Sequence, residues 1–212
     1  MLTDLWPLLA LRVTTPRLEL RLPDERQLAA LAEVAAAGIH PADRAPFLRP
    51  WATDPRERAR SVVQYHWLRR GNWRAAEWML PLAVLADGEV VGQQSLYASD
   101  FGVLRCVQTT SWLGMAHQGR GIGTEMRAAV LHLAFAGLGA SEAVTGAFSD
   151  NPASLAVSTK LGYRPDGVQR DVLHGAPVTT QRLRLSRADW AAGATTPVTL
   201  TGLSPCLRHF GL

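Results

Sequence analysis

The chain reads as an α/β protein (mixed α+β), with a central, mostly antiparallel sheet flanked by helices. Three observations predict this class. Two amphipathic helical patterns precede a pair of apolar runs joined by Asp87-Gly88, the strongest short hairpin signal. The second half then alternates strand-like and helix-like segments. No internal repeat or low-complexity tract interrupts the pattern.

Leu18, Leu20 and Leu22 alternate with Glu19 and Arg21, the signature of a half-buried strand. Pro23-Asp24 ends it and caps a helix over about residues 25–37, with Leu28, Leu31, Ala32 and Ala35 on one face. Residues 38–54 are Pro-rich and read as a loop, and a second helix follows over about residues 55–70. Residues 80–86 and 89–96 form the hairpin, and 105–114 a further strand. The next helix, about residues 124–138, carries Met126, Val130, Leu133 and Ala134 on one stripe and stops at Gly137 and Gly139. Residues 143–148 are a strand. Asn151 caps a short helix with Pro152 at its first position, where the missing N–H costs nothing. Residues 178–185 are the last clear strand, and Ser186-x-x-Asp189 has the form of a capping box. The tail, residues 195–212, reads as an added edge strand, a segment docked on a partner subunit, or unordered chain.

The 212 residues are 47% apolar, ample for a core. No apolar run approaches the roughly 20 residues that span a bilayer. The stretch at residues 2–11 carries Asp4 and Pro7 and lacks a cleavage pattern, so a cytoplasmic location is expected. Cys106 and Cys206 read as reduced packing residues, and no Cys/His cluster has zinc spacing, so no metal is expected. The net charge is +4, and 21 of the 22 basic residues are arginine. They are scattered without aromatic interleaving, which argues against a nucleic-acid partner and fits a polyanionic cofactor.

His117-Gln-Gly-Arg-Gly-Ile-Gly-Thr124 lies between a strand and a helix. The first N–H groups of a helix have no internal partner and sit at the positive end of its dipole, so they bind anions. Glycines 119, 121 and 123 let a phosphate approach the backbone. The spacing fits neither the dinucleotide fingerprint nor the Walker loop.

It does match Gln/Arg-x-x-Gly-x-Gly/Ala, and so resembles the pyrophosphate loop of the GNAT superfamily of N-acetyltransferases, read here as Gln118-Gly119-Arg120-Gly121-Ile122-Gly123. About 28 residues on, Asn151-Pro-Ala-Ser154 and Lys160-Leu-Gly162-Tyr163 resemble the second signature of that superfamily. Gly123-Thr124-Glu125 and Arg187-Ala-Asp189-Trp190 are similar to the branch that acetylates ribosomal-protein N-termini. The chain is also similar to actinobacterial members, some linked to succinyl-CoA. The resemblance covers residues 14–190 and implies an acyltransferase domain there, between an N-terminal extension (1–13) and a C-terminal one (191–212). It implies a sheet splayed between the fourth and fifth strands, with the cofactor in the V.

Transfer from a thioester to an amine needs a polarised carbonyl, a neutral amine and a stabilised thiolate. The resemblance puts the polarising backbone N–H at Leu113. It places coenzyme contacts at Leu113, Gln118, Gly119, Arg120, Gly121, Ile122, Gly123, Thr124, Asn151 and Ser154. The superfamily's usual tyrosine acid falls at Ser158 and is missing, and Ser154 is the implied holder of the thiolate. Glu77 is the candidate base, ahead of Asp150 and His117. Arg127 and Lys160 are further phosphate candidates, with Arg127 read as an exposed helix arginine. The acceptor site is expected near Trp51, Trp67, Trp73, Trp78, His40, His66 and Phe47, although aromatic residues at such spacing usually form core.

The expected activity is therefore acyl-CoA-dependent N-acyltransfer, from acetyl-CoA to a primary amine. A succinyl-CoA donor is the alternative, with Arg or His from residues 40–74 meeting its carboxylate. A CoA-sensing module without catalysis is the alternative of another class. A homodimer is compatible with the sequence, and neither a membrane nor a nucleic acid is expected as partner.

Overall fold

The computed structural model describes residues 1–41, 47–48 and 52–212. Helix α1 (Leu2–Leu5) and a 3-10 turn lead into β1 (Arg12–Thr14) and β2 (Leu18–Arg21), followed by α2 (Glu25–Ala37) and α3 (Pro55–Gly71). The hairpin β3 (Glu77–Ala86) and β4 (Glu89–Ser99) is followed by the one-turn α4 (Phe101–Leu104) and by β5 (Cys106–Leu113). Helix α5 (Ile122–His132), prolonged by a π-helical turn over Leu133–Gly137, leads to β6 (Glu142–Phe148). Then come α6 (Pro152–Lys160), β7 (Arg164–Leu173), β8 (Ala176–Ser186), α7 (Arg187–Gly193), β9 (Thr199–Thr201) and a 3-10 segment over Ser204–Phe210.

Among the described residues these strands form one sheet in the order β7-β8-β6-β5-β4-β3-β2-β1-β9. Only β5 and β6 run parallel, joined by the α5 crossover. Helices cover both faces, so β3 is buried on both and reads as a continuous apolar run rather than an alternating one. Leu80, Leu82 and Val84 join the core under α5, while Ala83 and Leu85 join Leu28, Leu31 and Val62 of α2 and α3. Asp87 and Gly88 have φ of 51° and 82°, the double left-handed geometry of a two-residue hairpin turn.

Local signals explain the helix ends. Asp24 accepts from the Gln27 N–H at 2.8 Å, and the Gln27 side chain accepts from the Asp24 N–H at 3.1 Å. Ser186 Oγ accepts from the Asp189 N–H, so the capping box expected there caps α7. Trp190 of that helix stacks on Phe135.

The two ends of the chain meet: β9 pairs with β1, so the tail adds the edge strand. Beyond it, Phe210 is fully buried against Trp73 and Trp78, and Trp73 Nε1 donates to the His209 carbonyl at 2.8 Å. Cys106 and Cys206 are free thiols.

His66 of α3 is fully buried, with Nε2 2.9 Å from Gln93 Oε1. Burial pushes its imidazole down from 6.5 to about 4. The unfolded chain therefore takes up a proton that the folded chain refuses, and stability falls as pH drops through this window. The loss should reach about 3 kcal/mol. Denaturant melts of His66→Leu across this range are expected to flatten that part of the profile. An unchanged slope in the variant would contradict the assignment.

Candidate active site

The β5–β6 register ends at Gln108↔Val144, where Thr145 Oγ1 donates to the Thr109 carbonyl at 3.2 Å. Beyond this rung the strands part and β5 continues to Leu113. Gly114 N–H donates to the Val91 carbonyl of β4, so strand alternation turns the N–H groups of Ser111 and Leu113 away from β4 and into the V. The V forms a cleft of about 680 Å³, within the range of small-molecule sites.

The glycine-rich turn stands at the open end. Gly119 and Gly121 have φ of 73° and 78°, conformations that a side chain would strain. Gly121 is the N-cap of α5, and its carbonyl accepts from the Thr124 and Glu125 N–H groups at 3.2 Å. Residues 119–123 donate to no carbonyl among the described residues, leaving a row of free N–H groups at the positive end of α5.

The turn is braced from both sides. Thr15 Oγ1 and Arg17 Nε each donate to Glu125 at 2.6 Å, and Arg17 Nη1 donates to the Arg120 carbonyl at 3.3 Å. Burial alone would raise the Glu125 carboxyl, but the bonds from Thr15 and Arg17 and the Arg17 charge hold it below the usual carboxylate range. Gln118 Nε2 donates to the carbonyls of Ile39 (2.8 Å) and Leu113 (3.0 Å), tying the end of α2 to β5 and the turn. Its side chain is thus occupied in positioning.

Helix α6 forms the wall below β6. Asn151 Oδ1 accepts from the Ser154 N–H at 3.1 Å, which fixes the first turn of α6. The Ser154 hydroxyl lines the cleft and bonds no group among the described residues, whereas Ser158, one turn on, is fully buried.

The structure thus brings Leu113, Gln118, Gly119, Gly121, Gly123, Thr124, Asn151 and Ser154 to one cleft. Arg120 is exposed beside it and Ile122 is buried beneath it. Glu77 is exposed at the first position of β3 and outside the cleft lining, while Asp150 is on the lining. Lys160 faces a second hollow of about 520 Å³, which also holds Arg17, Glu125, His132 and Trp190. Of the expected acceptor residues, His40 and Phe47 line the cleft, Trp73 and Trp78 are core, and Trp67 is exposed. Trp51 lies outside the described residues.

One reading is corrected. Arg127 is not an exposed helix arginine: it is 5% exposed and lines the cleft. Nη1 donates to Ser158 Oγ at 3.0 Å and Nη2 to Ser111 Oγ at 3.3 Å. The sequence held a signal for this. Arg127 lies four residues after Gly123 and three before Val130, within the apolar stripe of α5.

Known proteins share this architecture. RimJ of Mycobacterium smegmatis, solved in complex with CoA-disulfide, superposes with a TM-score of 0.68 at 23% identity, over 86% of this chain and 93% of that one. A GCN5-related N-acetyltransferase from Brucella melitensis gives 0.67 at 19%, over 85% and 80%. RimL, a ribosomal alpha-N-protein acetyltransferase in complex with coenzyme A, gives 0.64 at 21%, over 81% and 95%. At these identities the likeness establishes the shared fold. The family model for the acetyltransferase (GNAT) domain matches residues 17–164, more than half of the sequence, and the chain therefore belongs to the GNAT acetyltransferase family.

Proposed function

We propose that this enzyme moves an acetyl group from acetyl-CoA to a primary amine by direct attack of the amine on the thioester. One observation carries the reading. The inward N–H groups of β5 run directly into the free N–H row of the turn at residues 119–123, a donor track suited to an amide arm ending in a pyrophosphate.

In this reading the pyrophosphate rests on the N–H groups of residues 119–123, with Thr124 on the cleft lining and Arg120 beside it. Lys160 and Arg17 face the hollow next to the turn, where the nucleotide end would lie. The coenzyme arm follows β5 past Leu113 and Asn151. The Leu113 N–H polarises the carbonyl, and the Ser154 hydroxyl meets the sulfur. Such a donor costs little reorganisation because α6 and β5 already hold it in place. The amine approaches from the α2–α3 side, past His40 and Phe47. Among the described residues of its region, His40 lines the cleft and could meet the carboxylate of a succinyl donor.

A thiol-release assay tests this. Acetyl-CoA or succinyl-CoA is offered with protein N-terminal peptides, lysine peptides, polyamines and small amines. Amine-dependent release of CoA is expected, faster with the acetyl donor. Ser154→Ala is expected to lower kcat about 10-fold to 100-fold with the donor Kd nearly unchanged, the mark of an interaction made in the transition state. For proton removal, Asp150→Asn is expected to lower kcat about 100-fold, and Glu77→Gln to leave it near the parent value. The reverse order would move the base to Glu77. Tight donor binding without transfer to any amine would favour a CoA-sensing module.

A further inference from the structure

Among the described residues Arg127 is the only buried arginine or lysine, and no aspartate or glutamate is buried. It lines the cleft, Nη1 and Nη2 each donate to a hydroxyl, and Nε has no hydrogen-bond partner. Most of the guanidinium N–H donors are therefore unused. The titratable group that acts on it is the phenol of Tyr163, which burial pushes up and so keeps neutral. Burial lowers the Arg127 guanidinium from its usual range, but an arginine remains protonated throughout the working pH range. A buried charge without a counter-charge is strongly unfavourable, so this one calls for an anion on whatever fills the cleft.

The place of Arg127 in the V decides which part of the occupant meets it. The phosphates stay at the mouth, because Arg127 is five residues along α5 from Ile122, about 7.5 Å down the helix axis. Nη2 bonds Ser111, two residues deeper along β5 than Leu113, about 7 Å at the strand rise. With the thioester carbonyl at the Leu113 N–H, the arm and the sulfur lie between the turn and Leu113. Arg127 stands beyond the carbonyl, deeper than an acetyl group extends. What reaches this depth is a longer acyl chain or the body of the amine.

The walls there are polar. Thr109 and Ser111 are alternate residues of β5, and Gln94 is opposite Ser111 on β4, so their side chains share one face of the sheet. Thr109 Oγ1, Gln94 Oε1 and the Tyr163 hydroxyl are all buried without partners. Thr109 and Ser111 line the cleft with Arg127. Ser111 Oγ accepts from Arg127, which leaves its own proton free to donate. A cation beside two free hydroxyls suits a carboxylate, whose two oxygens only accept. Substrates without a charge at this depth leave these groups unpaired.

We propose that Arg127, with Thr109 and Ser111, is the receptor for a carboxylate that one of the two substrates carries beyond the reacting carbon. This rests on the acyltransferase reading above and gives the same site a specificity determinant. With acetyl-CoA as donor, the carboxylate belongs to the amine. With a dicarboxylic acyl donor, it is the far end of the acyl chain.

The test compares charged substrates with uncharged ones of similar length by calorimetric titration. The donor arm sets succinyl-CoA against butyryl-CoA. The acceptor arm, on the CoA-bound protein, sets β-alanine, γ-aminobutyrate and peptides with a leading acidic residue each against its carboxamide. One arm is expected to favour the carboxylate by about 10-fold or more, and that arm names the substrate which carries it. In Arg127→Met the ratio is expected to fall to about one, and in Arg127→Lys, which keeps the charge but not the fork, to survive in part. Wild-type protein that binds acetyl-CoA but shows no preference in either arm overturns this proposal alone. So does a preference that Arg127→Met retains, as it would if His40 held the carboxylate. If Arg127→Met does not fold, Ser111→Ala and Thr109→Val carry the same test, and a ratio undiminished in both overturns the proposal. Failure of every coenzyme to bind sinks the acyltransferase reading itself.

Discussion

Gly123→Asp is expected to abolish coenzyme binding while leaving the fold intact. Gly123 is the second residue of α5 and does not have a positive φ. A Cβ there would stand 3.9 Å from both the Leu113 and Val157 side chains, in ordinary contact. An aspartate in the first turn of a helix also interacts favourably with the helix dipole, so Tm should hold or rise slightly. Its carboxylate, however, would enter the mouth between β5 and α6, where the proposed reading seats the pyrophosphate. Facing like charges cost several kcal/mol, so the Kd for CoA should rise at least about 100-fold. Calorimetric titration beside a thermal melt separates the two effects. Undiminished binding in a folded variant would remove the phosphate from this turn. Gly121 is a less informative site: at φ 78° any side chain strains the backbone, and lost binding there could reflect local unfolding.

Phe210→Ala is expected to cost about 3–5 kcal/mol, a drop in Tm of roughly 10 °C for a chain of this size. Phe210 is fully buried, with its ring centroid 4.8 Å from Trp78 and 5.6 Å from Trp73 in edge-on packing. Those tryptophans cap the end of the central hairpin, so the tail completes a core that the rest of the chain leaves open. Donor affinity below the lowered Tm should be retained, because Phe210 lines neither the cleft nor the neighbouring hollow. A melt that matches the parent protein would show that the tail does not pack in solution.

Most of the scaffold was legible because its signals are local. Asp24 and Asn151 announce helix starts, Asp87-Gly88 announces the hairpin, and α2 and α5 carry clear stripes. Strand β7 was not legible. It is an edge strand, largely exposed on both faces and interrupted by Pro165 and a bulge, so it shows neither a hydrophobic period nor a clean run. Strand β1 is only three residues long, too short to show a period. The tail left three readings open because its apolar residues have no local partner. They meet β1 and the tryptophans only in three dimensions.

The site divides along the same line. The phosphate turn and the α6 cap are written in consecutive residues and could be found as motifs. Arg127 could not, because its burial depends on Ser111 and Ser158, which come from two other elements. General expectation places arginine outside, and only the position of Arg127 within the α5 stripe argued otherwise. His66 and Gln93 likewise meet across α3 and β4.

The central claim is that the V between β5 and β6 holds an acyl-CoA. Calorimetric titration of the unmodified protein with acetyl-CoA tests it most directly, with dephospho-CoA and adenosine diphosphate as controls. The account predicts one site per chain with micromolar or tighter affinity for acetyl-CoA, and far weaker binding of adenosine diphosphate, which lacks the arm that β5 is placed to receive. Folded protein that takes up no acetyl-CoA, or binds adenosine diphosphate equally well, would contradict it.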